Sequence, residues 1–163
     1  MGLCKKQTAE MTLCFSKYAV AKDMGVCPNY FYPSSMWDNK WRFEADIICV
    51  DDDLMIYEVE VKRSVIDFNQ ECSKANKFRL MADGEYYTNY FSYLFPTDLY
   101  EKLKGKVDIN FGIYTVNNKN NRITEKRAPT LLKEDTATGD VYASILKQVT
   151  KNLWRYYEKS NKL

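Results

Sequence analysis

The most informative absence in this sequence of 163 residues is histidine, which does not occur at all. Without imidazole the chain can have no Ser-His-Asp triad, no Cys-His pair and no histidine metal ligand. Only six glycines are present, and none belongs to a glycine-rich loop of the kind that binds nucleotide phosphates. Catalysis, if there is any, must therefore depend on carboxylates, lysine, hydroxyl groups or a metal ion held by oxygen.

Two further absences concern the environment of the protein. The five cysteines include no Cys-x-x-Cys pair, so we expect reduced cytosolic thiols rather than a zinc knuckle or a redox dithiol. No stretch approaches the roughly 20 apolar residues that span a membrane, and residues 1–25 lack the apolar run of a secretory signal. We therefore expect a cytoplasmic protein with no membrane partner. The length suits one domain, residues 1–163, and the net charge of +2 leaves a local basic patch open.

The spacing of apolar residues predicts a mixed α/β domain. Helices are predicted over Thr8–Met24, Asp67–Met81, Thr97–Lys104 and Asp140–Glu158. Strands are predicted over Arg42–Val50, Leu54–Lys62, Tyr90–Phe95, Asp108–Val116 and within Ile123–Leu132. The residues Cys27–Lys40 contain two prolines and are predicted to form a loop. This order implies a mixed central sheet flanked by helices, with an extra helix at the C-terminal end.

One predicted hairpin carries an unusual concentration of charge. Residues two apart in a strand point to the same side, so Glu58, Glu60 and Lys62 project together. Glu44 and Asp46 do the same on the preceding strand, and a loop of about five residues would set Asp46 opposite Glu60. An exposed strand pair with cross-strand Glu–Lys contacts would explain this pattern as simply as a functional site would.

A divalent-metal site that cleaves phosphodiesters is the functional explanation. Proteins bind Mg²⁺ through one or two carboxylates and leave several waters on the ion. Asp46 and Glu60 are the natural ligands, and the backbone carbonyl of Val61 is a third. Lys62 would orient the attacking water or stabilise the charge at phosphorus. Mn²⁺ is expected to substitute for Mg²⁺.

The same residues resemble a known family. Asp46 followed by Glu60-Val61-Lys62 is similar to the motif of the PD-(D/E)xK nuclease superfamily, whose shared core has the element order αβββαβ. The similarity to its MmcB-like branch of DNA-repair nucleases extends over Arg42–Leu132 and is carried by Ser64, Asp67-Phe68, Asn89–Pro96, Gly112–Tyr114 and Lys126–Pro129.

The resemblance implies a restriction endonuclease-like core and a Mg²⁺-dependent deoxyribonuclease. It implies Asp46 and Glu60 as metal ligands and Lys62 as the catalytic lysine. It also implies that the enzyme acts in DNA repair, in recombination or in the processing of phage or mobile-element DNA. Four polar residues are auxiliary candidates for the site: Glu10, Glu44, Glu58 and Gln70.

The expected partner is DNA, and the sequence leaves RNA and a homodimer open. Lys74, Lys77 and Arg79 are candidate contacts to phosphates, although the solvated face of an ordinary helix explains them equally well. The alternative function is a non-catalytic module that binds nucleic acid or protein on a nuclease-like scaffold, because fold does not fix function.

Overall fold

A mixed sheet of six strands organises the chain in a computed structural model that describes residues 2–31, 44–73, 88–134 and 139–160. The strands are β1 (Gly25–Phe31), β2 (Glu44–Val50), β3 (Ile56–Val61), β4 (Tyr90–Pro96), β5 (Gly112–Asn117) and β6 (Arg122–Arg127). The helices within the described residues are α1 (Gly2–Val20), α2 (Val65–Ser73), α3 (Tyr100–Leu103) and α4 (Gly139–Ser160). A 3₁₀ turn, Thr97–Leu99, leads into α3.

The strands lie in the sheet in the same order as in the chain. The first three form an antiparallel meander, β4 and β5 run parallel to β3, and β6 returns antiparallel to β5. Within the described residues, the elements from α1 to β4 have the order αβββαβ. The prediction of an α/β fold with a mixed sheet, flanking helices and an extra C-terminal helix is confirmed.

Both faces of the sheet are covered. Met11, Phe15 and Ala19 of α1 pack on one face of the central strands. Phe68 of α2 and Leu103 of α3 pack on the other face, against aromatic side chains of β4. Because they are covered on both sides, β3 and β4 are buried along almost their whole length, as is usual for parallel strands at the centre of a sheet.

The predicted loop over Cys27–Lys40 is wrong for its first part, because Cys27–Phe31 belongs to β1. This strand pairs with β2 from Gly25↔Val50 to Phe31↔Glu44. It lies at the edge of the sheet, where a proline such as Pro28 is tolerated. Residues 32–40 of the predicted loop lie outside the described part of the chain.

The first helix was predicted to reach Met24, but α1 ends at Val20. Asp23 has a φ of 59°, and the Met24 N–H donates to the Ala19 carbonyl at 3.2 Å. A left-handed residue followed by this bond is a common helix ending, which satisfies carbonyls of the last turn. The residue that stops the helix is thus Asp23 and not Gly25.

Two other boundaries differ from the prediction for local reasons. The second helix begins at Val65, two residues early, because the Ser64 Oγ accepts the Asp67 N–H at 3.1 Å and caps it. The strand predicted from Asp108 begins at Gly112. The Asp108 carboxylate accepts the Asn110 N–H at 2.9 Å and holds the preceding residues in a turn.

Gly112 is the position where added volume would disturb the sheet most directly. A Cβ there would overlap the Ser92 Oγ and lie 2.9 Å from the Pro129 Cδ. We therefore expect Gly112→Ala to lower the free energy of unfolding by about 1–3 kcal/mol, measured by urea denaturation.

Gly105 provides the matched control, because a Cβ at that position meets no atom within 4 Å. Gly105→Ala should stay within about 0.5 kcal/mol of the wild type. Equal stability of the two variants would contradict the close packing at Gly112.

Candidate functional site

The candidate site begins where the backbone pairing of β2 with β3 ends. Paired residues run from Val50↔Ile56 to Ile47↔Val59, and one further step in this register sets Asp46 opposite Glu60, as the sequence predicted. Beyond that point the Asp46 Oδ2 accepts the Val61 N–H at 2.8 Å. A carboxylate thus takes the place of a strand carbonyl and is held against the peptide that joins Glu60 to Val61.

Glu60 and Lys62 form an ion pair inside the protein. The Lys62 Nζ lies 2.9 Å from the Glu60 Oε2, and the two residues are only 3% and 4% exposed. Glu58, two residues earlier on the same strand, is 6% exposed. The alternative of a solvent-facing strand pair is therefore wrong for these three residues. Burying charge carries a desolvation penalty that a single ion pair repays only in part.

A groove of about 1080 Å³ opens between α1 and the start of β2. Asp46 and Glu44 lie in its wall, and Arg63, the residue after Lys62, lies there with them. The α1 side contributes Thr8, Thr12 and Ser16. Neither Glu60 nor Lys62 is part of this lining, so the buried ion pair lies behind the groove wall rather than in it.

Several of these groove residues were missed at the level of sequence. Thr8, Thr12 and Ser16 recur at every fourth position of α1, a spacing that places hydroxyl groups on one side of a helix and could have identified them. Arg63 could have been found as the direct neighbour of Lys62. Asn29 could not, because the strand that carries it was predicted to be a loop.

The auxiliary candidates are spread over different surfaces. Glu44 is exposed and shares the groove with Asp46. Glu10 is also exposed, but it lines a second groove beside Asn118 and Asn121 of the β5–β6 turn. Gln70 is exposed on α2. The predicted phosphate contacts at Lys74, Lys77 and Arg79 lie outside the described residues.

The predicted metal ligands are chemically suited to Mg²⁺. Asp46, Glu60 and the Val61 carbonyl offer only oxygen donors, which hard divalent cations prefer. Each carboxylate has two oxygens and several lone pairs, so one hydrogen bond does not exhaust it. Within the described residues no group of three or more His, Cys, Asp or Glu side chains is placed to hold a metal. The predicted set has only two such side chains.

Two of the described cysteines are buried thiols. Cys14, Cys27 and Cys49 are free thiols, and the last two are 1% exposed. Burial raises the pKa of Cys27 to about 11 and that of Cys49 to about 12. These two thiols are protonated at neutral pH and cannot serve as nucleophiles, because the thiolate is the reactive form.

Comparison with known proteins adds to the description of the fold. No protein-family model and no curated protein matches the sequence. A similar solved structure is the SPO1766 protein of unknown function from Silicibacter pomeroyi, with a TM-score of 0.59 and 11% sequence identity. The similarity covers 86% of this chain and 82% of that one. It establishes the fold alone. In the described part of the chain, no helix has the length and apolarity needed to cross a membrane.

The buried ion pair should be measurable as a coupling energy. Lys62→Met leaves the Glu60 carboxylate buried without its ammonium partner, so we expect a loss of about 3–5 kcal/mol in the free energy of unfolding. The double variant Glu60→Gln/Lys62→Met should lose clearly less than the sum of the two single losses. Urea denaturation of the four proteins measures this coupling, and additive losses would contradict the pairing.

The raised thiol pKa values give a prediction for alkaline pH. A group whose pKa is raised on folding stabilises the fold fully below its ordinary pKa and loses that contribution as the pH rises through the folded value. Stability should therefore fall from about pH 9 upward, and the fall should be shallower in Cys49→Ala.

Alkylation at about pH 8.5, followed by mass spectrometry, should label Cys49 in urea but not in the folded protein.

Proposed function

We propose that the protein is a metal-dependent nuclease that hydrolyses DNA phosphodiester bonds. The observation that supports this most is the arrangement at the end of the β2–β3 ladder. A half-buried carboxylate, Asp46, accepts the Val61 N–H, and the residues on either side of Val61, Glu60 and Lys62, form a buried ion pair. Charges buried on a central strand lower stability unless they are compensated, and catalysis would be a reason to keep them.

Each residue has a distinct role in this proposal. Asp46 and Glu60, with the Val61 carbonyl, would hold the ion, and the Val61 N–H fixes the orientation of the Asp46 carboxylate. Glu60 holds the Lys62 Nζ in place at 2.9 Å, and the N–H groups of Lys62 would orient a water or a phosphate oxygen. Bound Mg²⁺ supplies positive charge for the scissile phosphate and acidity for the attacking water. The resemblance suggests products with 5′-phosphate ends.

A non-catalytic module that binds nucleic acid or protein is the second candidate. It is favoured by the burial of Glu60 and Lys62, since neither residue lines the groove that contains Asp46. In that case the ion pair would be a structural element of β3, and the groove would bind a partner without cutting it. Both candidates share the fold, so measurements of activity and of metal binding must separate them.

The decisive variant is Asp46→Asn. Asparagine keeps an oxygen that can accept the Val61 N–H but lacks the negative charge that binds a cation. We expect it to fold normally and to cut DNA at least about 100-fold more slowly than the wild type. The measurement is a cleavage assay with Mg²⁺ or Mn²⁺ over duplex, nicked, branched and single-stranded DNA and over RNA.

Asp52→Asn is the matched control, because Asp52 is an exposed carboxylate in the turn between β2 and β3. It makes the same chemical change away from the groove and should leave cleavage unaltered. The proposal fails if the wild type cuts no substrate with either metal, or if Asp46→Asn cuts as fast as Asp52→Asn. Calorimetry that detects nucleic-acid binding but no metal binding would favour the non-catalytic module.

A further inference from the structure

The helix α4 carries its acidic residues, Asp140 and Glu158, only near its two ends. Its residues 141–157 contain three cations, Lys147, Lys151 and Arg155, and no aspartate or glutamate. The three cations stand at successive fourth positions, so they lie in one row along the helix with a rise of about 6 Å between neighbours. All three residues are exposed. We call these three residues the cationic row.

The fold itself gives no reason for this row. Like charges four residues apart on a helix repel each other by about 0.2–0.5 kcal/mol per pair. The helix macrodipole favours cations only in the last turn, and Lys147 and Lys151 lie well before Ser160, where α4 ends. Among residues 141–157 no acidic side chain accompanies the row, which is therefore suited to a partner that carries a row of negative charges.

A residue next to the cationic row contacts the edge of the groove that contains Asp46. Gln148 belongs to the neighbouring stripe of the helix, three residues before Lys151 and seven before Arg155. Its Nε2 donates to the Asn29 carbonyl at 3.3 Å. Asn29 lines the groove that contains Asp46. Gln148 therefore places one point of α4 at the edge of that groove.

An aromatic side chain borders the row on its other side. Trp154 follows Lys147 by seven residues and Lys151 by three, and it is 66% exposed. Cations for phosphates combined with an exposed aromatic ring are typical of surfaces that bind single-stranded nucleic acid, because unpaired bases can stack on the ring. A duplex offers such a ring no free base face along its length.

We propose that the cationic row of α4, together with Trp154, binds single-stranded nucleic acid and directs it toward the groove at Asp46. The direction toward Asp46 rests on the proposed nuclease function, whereas the binding does not. A second copy of this chain is a poor occupant, because two such rows would bring like charges together. An anionic membrane surface would suit the charge, but not the position of the row beside the groove.

Binding is tested in EDTA, so that cleavage does not enter the measurement. Fluorescence anisotropy with oligonucleotides of equal length compares single-stranded DNA, single-stranded RNA and duplex DNA. The row variant is Lys147→Glu/Lys151→Glu/Arg155→Glu, and a neutral version with three glutamines guards against loss of folding. The control is Lys102→Glu/Lys106→Glu/Lys119→Glu, which makes the same net-charge change at three exposed lysines away from α4.

We expect the wild type to bind single strands more tightly than duplex, and both row variants to lose at least about tenfold in affinity while the control stays near wild type. In the glutamine variant the slope of log K against log salt should fall by about 2, since each phosphate contact on a single strand contributes about 0.7. Trp154→Ala should weaken single-strand binding by about tenfold and leave duplex binding unchanged.

Three results would overturn the inference. In the first, the wild type binds no single strand, and in the second, the row and control variants lose the same affinity for single strands. In the third, a parallel assay with anionic lipid vesicles would show that the row variants lose vesicle binding but keep their affinity for single strands. Failure of the proposed nuclease function has a separate signature. A protein that binds single strands through the row but never cuts them would refute the nuclease and leave the binding surface intact.

Discussion

The buried ion pair between Glu60 and Lys62 is the interaction on which the register of the central strand depends. Strands flank β3 on both sides and helices cover both faces, so these charged groups must be satisfied inside the protein. Val61, between them, packs into the core beneath α1 and is 3% exposed. A shift of β3 by one residue would push the charges against Met11 and Phe15 and remove Val61 from that core. The register of the central strand is therefore strongly determined.

Polar side chains satisfy the backbone at both ends of β3, in different ways. At its start the Asn89 Oδ1 accepts the Ile56 N–H at 2.7 Å, and the Asn89 amide donates to the Lys133 carbonyl at 2.8 Å. Asn89 is 2% exposed and joins β3, β4 and the chain after β6. At the other end Asp46 is only half-buried and reaches a groove. The hydrogen bonds of Asn89 are therefore structural, whereas the Asp46 carboxylate is accessible to a ligand in the groove.

The parts of the fold that the sequence predicted are those where one local signal was strong. The charged alternation of Glu58, Glu60 and Lys62 identified β3, and the register with Asp46 followed from the length of the turn. The aromatic run before Pro96 identified β4. The strand β1 was not predicted, because Pro28 and its neighbours carry turn signals, and only the pairing with β2 makes the segment extended. Burial was also beyond local reasoning: periodicity could not tell whether Glu60 faced water or the interior.

The last helix, α4, is likewise an element that the sequence predicted but whose burial it did not. Its length and position followed from the spacing of Ile145, Val149 and Leu153, yet only Ile145 is buried, at 5% exposed, whereas Leu153 is 56% exposed. The sequence by itself determined the type of every described element except β1, the missing imidazole chemistry and the residues Asp46, Glu60 and Lys62 as candidates, since these depend on composition and short-range spacing. Tertiary structure alone decided that Glu60 and Lys62 are buried and that Asp46 shares a groove with Arg63. It also decided that α4 turns its cations to solvent. Burial and proximity depend on which distant segments pack together, and no local pattern records that.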